Sequence, residues 1–232
     1  VTAEFGITTS SSAVFPQAGD APAEFYIPVS TVVDIPTALA NTNTAFLFHM
    51  DGADGSGEFV DECSNHIVNI GSPVISTAQG KFGSQSGLFD AASGLEVHGT
   101  LATFDLDTDD FLAEAWVRPT ALVDGMIFGY GAINSAGDLE RGAFKVLFLS
   151  TGKVAVITFP MDVFMPASLS STTTLALNTW THVAFGGVGG NTSLFINGVR
   201  EVAFSGSVER YQISSSYDYR ILVGKGFTGY LD

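Results

Sequence analysis

Residues able to do chemistry are few and scattered. The four histidines, His49, His66, His98 and His182, show neither an H-E-x-x-H pair nor any close ligand spacing. Asp105-Leu-Asp107-Thr-Asp109-Asp110 begins like a calcium loop. The glycine that such a loop needs is Asp110, and the bidentate glutamate is Trp116, so an EF-hand is excluded. An acidic, solvated turn is the plain reading, with a looser oxygen-ligand calcium site as the alternative. Gly224-Lys-Gly226-Phe-Thr-Gly229 has the spacing of a dinucleotide loop, but a pyrophosphate site needs a helix after it, and only Tyr230, Leu231 and Asp232 follow. These glycines therefore read as a turn between two strands. No G-x-S-x-G elbow or phosphate loop occurs. Asn191-Thr-Ser193 is one glycosylation sequon in a glycine-rich turn, and single sequons arise by chance.

Charge narrows the choice of partner. Nine Lys plus Arg against 24 Asp plus Glu give a net charge of −15, which repels nucleic acid and anionic membranes. Neither is expected as a partner. The amino terminus lacks a basic stretch followed by an apolar run, and the most apolar region, 143–164, is interrupted by Lys145, Lys153 and Asp162. A single cysteine, Cys63, forms no internal disulfide or two-thiol metal site.

The elements that must position these groups are strands. Twenty-six Gly and eight Pro separate short runs of Val, Ile, Phe and Thr across 232 residues. Runs 143–149 and 154–159 flank a four-residue turn containing Gly152. A second hairpin joins 193–196 to 199–204 through Asn197-Gly198, the dipeptide suited to a type I′ turn. Further strands are expected at Phe46–Met50, Gly87–Phe89, Leu95–Val97, Phe111–Val117, Met126–Tyr130, Trp180–Phe185 and Ile221–Val223. No window keeps helical periodicity. The economical arrangement is all-β, with two antiparallel sheets packed face to face.

Residues 1–43 read differently. Four prolines and a Thr-Ser run stand among isolated aromatics, which suggests an extended arm. Phe5, Phe15, Phe25 and Tyr26 are expected to dock, either on a partner or neighbouring subunit or along the protein's own domain.

Five blocks carry a family resemblance: Phe46-Leu-Phe-His-Met-Asp-Gly52, Lys81-Phe-Gly-Ser-Gln-Ser-Gly-Leu-Phe-Asp90, Phe111-Leu-Ala-Glu-Ala-Trp-Val-Arg-Pro119, Asn178-Thr-Trp-Thr-His-Val-Ala184 and Leu194-Phe-Ile-Asn-Gly198. The chain resembles a concanavalin A-like, laminin G-type jelly roll. The resemblance implies a jelly-roll domain over 44–232, with 1–43 as an attachment segment. Glucanases of that superfamily carry E-x-D-x-x-E on one strand, and this chain has no such run; Glu58, Asp61 and Glu62 alternate wrongly and Glu114 stands alone. A non-enzyme is therefore expected. His182 reads as a packed strand histidine, and Trp116 and Trp180 as core or sheet-edge residues rather than sugar platforms.

The resemblance also implies a calcium site at one rim of the sandwich, pinning strand ends through Asp51, Asp90 and Asp232, with turn capping by the same aspartates as the alternative. Laminin G-type domains are frequent in bacteriophage structural proteins. The expected role is accordingly a virion component, a capsid decoration or tail-fibre protein anchored by its arm to other virion proteins or to copies of itself, with host glycans as a further partner. A free carbohydrate-binding lectin module and a bacterial cell-surface interaction domain are the alternatives. The expected core is Phe46, Phe48, Phe89, Phe111, Ala115, Val117, Phe144, Val146, Phe148, Val183, Phe185, Leu194 and Ile196.

Overall fold

A computed structural model describes residues 5–9, 44–99, 111–159, 167–188, 191–204 and 218–232. Among them every regular element is a strand: β1 (Phe5–Thr9), β2 (Thr44–Phe48), β3 (His66–Ile70), β4 (Val74–Ser76), β5 (Ser86–Phe89), β6 (Gly94–His98), β7 (Phe111–Pro119), β8 (Gly125–Ile133), β9 (Leu139–Phe148), β10 (Lys153–Phe159), β11 (Ala167–Thr174), β12 (Thr181–Val188), β13 (Asn191–Ile196), β14 (Val199–Phe204), β15 (Tyr219–Val223) and β16 (Gly229–Leu231). The expected strands are present, and the two hairpins fall at β9–β10 and β13–β14. Asn197 and Gly198 both take positive φ, 51° and 77°, as a type I′ turn requires.

Two antiparallel sheets result. The first runs β14-β13-β12-β7-β16-β5-β4, and the second β11-β10-β9-β8-β15-β6-β3. One edge of β7 pairs along its length with β12; the other edge is shared. Its carboxy-terminal half pairs with β16 and its amino-terminal half with β1, which pairs in turn with β2. The amino-terminal segment thus supplies a strand of the first sheet. Phe5 lies on that strand; Phe15, Phe25 and Tyr26 lie outside the described residues.

Strand β7 alternates strictly, with Phe111, Ala113, Ala115, Val117 and Pro119 buried and the residues between them half-buried. This is the period-two pattern of a sheet with one face on the core. All thirteen expected core residues lie in one buried cluster. Aromatic rings stitch the sheets together: Phe144 of the second packs 5.5 Å from Phe111 and 5.1 Å from Phe185 of the first.

The open edges are tied as well. Glu201 on β14 accepts hydrogen bonds from the backbone N–H and hydroxyl groups of Thr172 and Thr173 on β11, joining the edge strands of the two sheets. Burial pushes the Glu201 carboxyl up, but those bonds outweigh it and hold the group below its usual range. Asp61, 5% exposed, accepts from Leu47 N at 2.7 Å, Asn65 N at 2.9 Å and Asn65 Nδ2, which fixes the 61–65 turn against β2. Cys63 donates to the Thr44 carbonyl at 3.3 Å, and burial first, then Asp61 and Glu62, push its thiol up to about 11. It is a packed thiol with little thiolate character.

Candidate functional site

The parity that buries Ala115 and Val117 turns Leu112, Glu114, Trp116 and Arg118 to the outer face of the first sheet. Trp116 is therefore half-buried on that face and outside the core, a correction to the packing expected from its strand block. Trp180, just ahead of β12, is likewise half-buried.

Three elements surround the indole. On β12, His182 is paired with Trp116 in register, and the rings lie 5.3 Å apart. His182 Nε2 also lies 3.3 Å from a Glu114 carboxylate oxygen. On the other side Trp116 N donates to the Asp232 carbonyl at 2.8 Å and Asp232 N to the Trp116 carbonyl at 3.0 Å, so β16 is bonded on to Asp232. The third element is the β4–β5 connection, residues 77–85. Its Phe82 ring meets Trp116 edge-on at 5.8 Å, and Lys81 Nζ stands 3.9 Å from the indole centroid, a cation–π contact. One residue pair along, Arg118 lies 5.6 Å from the Tyr230 ring and donates to Asn178.

Asp232 anchors that connection. Its side chain faces outward by parity yet is 1% exposed, because the chain at 81–82 crosses over it. Lys81 N and Phe82 N donate to Asp232 Oδ2 at 2.8 and 3.1 Å. Burial raises the Asp232 carboxyl, the two N–H donors oppose this, the Asp51 charge adds to the rise and His49 subtracts. The Gln85 side chain donates to the Gly52 carbonyl and accepts from Gly52 N, tying the 49–57 chain to this connection. Met50, at φ 52° and 3% exposed, turns the chain there, and Asp51 next to it is exposed.

Asp51 is near enough to Asp232 for its charge to raise the Asp232 carboxyl, although β2 and β16 are not paired with each other. Asp90 is not part of this group. It is exposed and stands beyond the far end of β5, four residues, or about 13 Å, along the strand from Ser86, the residue level with Asp232. There Asp90 Oδ1 accepts from Ala92 N at 2.9 Å, capping its own turn. Among the described residues no three His, Cys, Asp or Glu side chains converge as metal ligands. The Gly224–Gly229 segment is the turn between β15 and β16, and Gly224, at φ 67°, leaves no space for a Cβ beside the Phe89 ring.

No curated protein matches the chain in sequence. Several solved structures share its fold. Domain 4 of AbnA, an extracellular arabinanase from Geobacillus stearothermophilus, in complex with arabinotriose, has a TM-score of 0.51 at 17% identity, over 77% of this chain and 84% of that one. The binding domain of botulinum neurotoxin DC, in complex with rat synaptotagmin II, has a TM-score of 0.52 at 12% identity, over 77% and 45%. The enzymatically active domain of bacteriophage CBA120 tailspike protein 2 has a TM-score of 0.50 at 12% identity, over 72% and 27%. At these identities the likeness is one of fold. A family model, Laminin_G_3, matches residues 92–232, more than half of the chain, over strands that include β7, β12, β13, β15 and β16, so the protein belongs to the concanavalin A-like lectin/glucanases superfamily.

Proposed function

We propose that this protein is a non-catalytic carbohydrate-binding jelly roll that meets a glycan on the outer face of its first sheet, at Trp116. The observation that carries the reading is an indole on the outward side of a central strand, with Lys81 Nζ 3.9 Å over its ring centroid and His182, itself 3.3 Å from a Glu114 carboxylate oxygen, 5.3 Å away. A sugar ring offers C–H faces to an aromatic ring and hydroxyls to such flanking groups. The same fold holds arabinotriose in the AbnA domain. The way acidic groups are used supports a binding role over hydrolysis: Glu114 is engaged by His182, and the Asp232 carboxylate accepts from two backbone N–H groups. Binding to a glycan array, followed by titration of Trp116→Ala and Lys81→Ala, tests this. At least a tenfold loss in affinity at unchanged melting temperature is expected for Trp116→Ala. An array without hits, or a Trp116→Ala protein that binds like wild type, overturns it.

A calcium ion at the rim would be held by Asp51, Asp232 and backbone carbonyls, with Asp90 too far away to join. It would offset the charge that burial makes costly at Asp232.

The second reading is a bacteriophage virion component, either capsid decoration or tail fibre, attached through residues 1–43. It rests on the arm-like composition of residues 1–43, of which Phe5–Thr9 pair with β2 and β7 of the chain's own first sheet. Deleting residues 1–43 and measuring incorporation into particles tests it; undiminished incorporation removes the segment from the mechanism.

A further inference from the structure

Cations are scarce in this chain. Nine Lys plus Arg stand against 24 Asp plus Glu, so carboxylates far outnumber the groups that could pair with them. Arg220 and Lys225 are paired in this way, with Asp218 and Asp138. Lys81 and Arg118 are not. Among the described residues neither forms an ion pair, and each stands over an aromatic ring instead, Lys81 over Trp116 and Arg118 over Tyr230.

Backbone bonds bring the two cations to one place. Lys81 N is bonded to the Asp232 carboxylate and Asp232 is level with Trp116, while Arg118 follows Trp116 by two residues on the same face, about 7 Å along β7. Asn178 Oδ1 accepts from Arg118 Nη1 at 3.3 Å, which leaves further guanidinium N–H groups for a ligand. The acidic groups bordering Trp116 are engaged elsewhere. Glu114 lies against His182, and Asp232 is 1% exposed beneath the backbone of residues 81–82. Asp51, exposed on the 49–57 chain, makes no ion pair with either cation.

The position of Lys81 discriminates between sugars. Phe82 and His182 close on the indole at 5.8 and 5.3 Å and the Lys81 ammonium stands 3.9 Å from its centroid, so a sugar ring that stacks there meets the ammonium. A neutral sugar gives nothing ionic in exchange for the displaced cation–π contact. A carboxylate or sulfate does, because a charge-assisted hydrogen bond to an ammonium is stronger than an ammonium–ring contact at a half-exposed position. The net charge of −15 sets the opposite limit: it repels a densely charged polymer, which favours a ligand whose charges are sparse.

We infer that the glycan held at Trp116 is acidic, and that one isolated carboxylate or sulfate on it is received between Lys81 and Arg118. The inference rests on the glycan reading of this face and adds the class of ligand to it.

Matched oligosaccharides test it. An array carries, on several backbones, chains with one uronic acid beside their methyl esters, and chains with one sulfate beside their unsulfated parents; hits are then titrated with the full protein. The acidic member of a pair is expected to bind about tenfold tighter or more, and the kind of pair that shows this tells carboxylate from sulfate. In Arg118→Gln and in Lys81→Gln, at unchanged melting temperature, that ratio should fall towards one, and Arg118→Lys should keep part of it. If Lys81→Gln disturbs the 77–85 connection and lowers the melting temperature, Arg118→Gln decides. Neutral members that bind as well as acidic ones, or a ratio unmoved by the substitutions, overturn the inference and leave the glycan reading standing. An array without hits overturns both.

Discussion

Two regions of the sandwich, the β8–β11 run and the surroundings of β7, are built on opposite plans. In the former, β8, β9, β10 and β11 follow one another as a meander, each paired with the next. In the latter, β7 is flanked by β12 on one edge and by strands from residues 5–9 and 229–231 on the other. Local pairing closes short loops; joining β1 and β16 to β7 closes loops of about a hundred residues or more. The meander therefore needs little beyond its own turns, whereas the surroundings of β7 also rely on side chains that pin separate segments together: Gln85 to Gly52, and Asp232 to residues 81–82.

Substitutions that sharpen this contrast can be ranked. Phe144→Ala removes the ring that packs on both Phe111 and Phe185, and should cost about 4 kcal/mol in denaturant titration and loosen both sheets together. Asp61→Ala strips three hydrogen bonds from a buried carboxylate beside β2, and a loss of about 3 kcal/mol is expected. Its counterpart in the meander, Asp124, accepts from Ser150 N and is held low first by that bond, but is fully exposed. Asp124→Ala should hardly move the melting temperature, and equal effects at 61 and 124 would break the contrast.

Glu201, where the two plans meet, comes next. Glu201→Gln should cost about 1 kcal/mol at neutral pH, discounted for exposure. Its pH dependence has a definite sign. The folded carboxyl lies below its unfolded range, so its contribution is complete above that range and fades as the pH falls through the folded value. The difference in stability between wild type and Glu201→Gln should thus shrink on acidification below about pH 4; a constant difference would remove the ionic part of the clamp. The smallest effect concerns calcium. A rise of a few degrees in melting temperature with millimolar calcium, lost in Asp51→Asn and kept in Asp90→Asn, is expected if the rim holds the ion. Indifference to both calcium and chelator removes the site.

What the sequence disclosed follows the same division. The β9–β10 and β13–β14 hairpins are legible because their strands are contiguous and their turns carry Gly152 and Asn197-Gly198. The inward parity of core residues is most legible where the run alternates, as over Phe111–Pro119. Strand β11, Ala-Ser-Leu-Ser-Ser-Thr-Thr-Thr, is not, since its apolar content is little more than Leu169 and its pairing is set by β10 and by the Glu201 bonds. Nor is β1, whose Phe-Gly-Ile-Thr-Thr becomes a strand only between two distant partners. Three-residue β4 is too short to announce itself.

At the candidate site the outward position of Trp116 was implicit in placing Ala115 and Val117 inside. The crossing of residues 81–82 over Asp232 had no signal in either segment alone, because it joins residues some 150 apart. The Asp51 charge reaches Asp232 although their strands, β2 and β16, are not paired with each other. Asp90 departs because a strand end can fall at either rim, and sequence spacing does not say which.

The double-sided pairing of β1 also bears on mechanics. Tension transmitted from Thr9 along the strand axis meets β2 and β7 in shear, so the ladder bonds on both sides must yield together before the strand slides out. Tension across an edge strand such as β3, which among the described strands pairs with β6 alone, opens one bond at a time like a zip. Rupture under force is governed by the rate of that first event rather than by equilibrium stability. A five-residue strand sheared on both sides can thus hold a tether far longer than its small share of the folding free energy suggests.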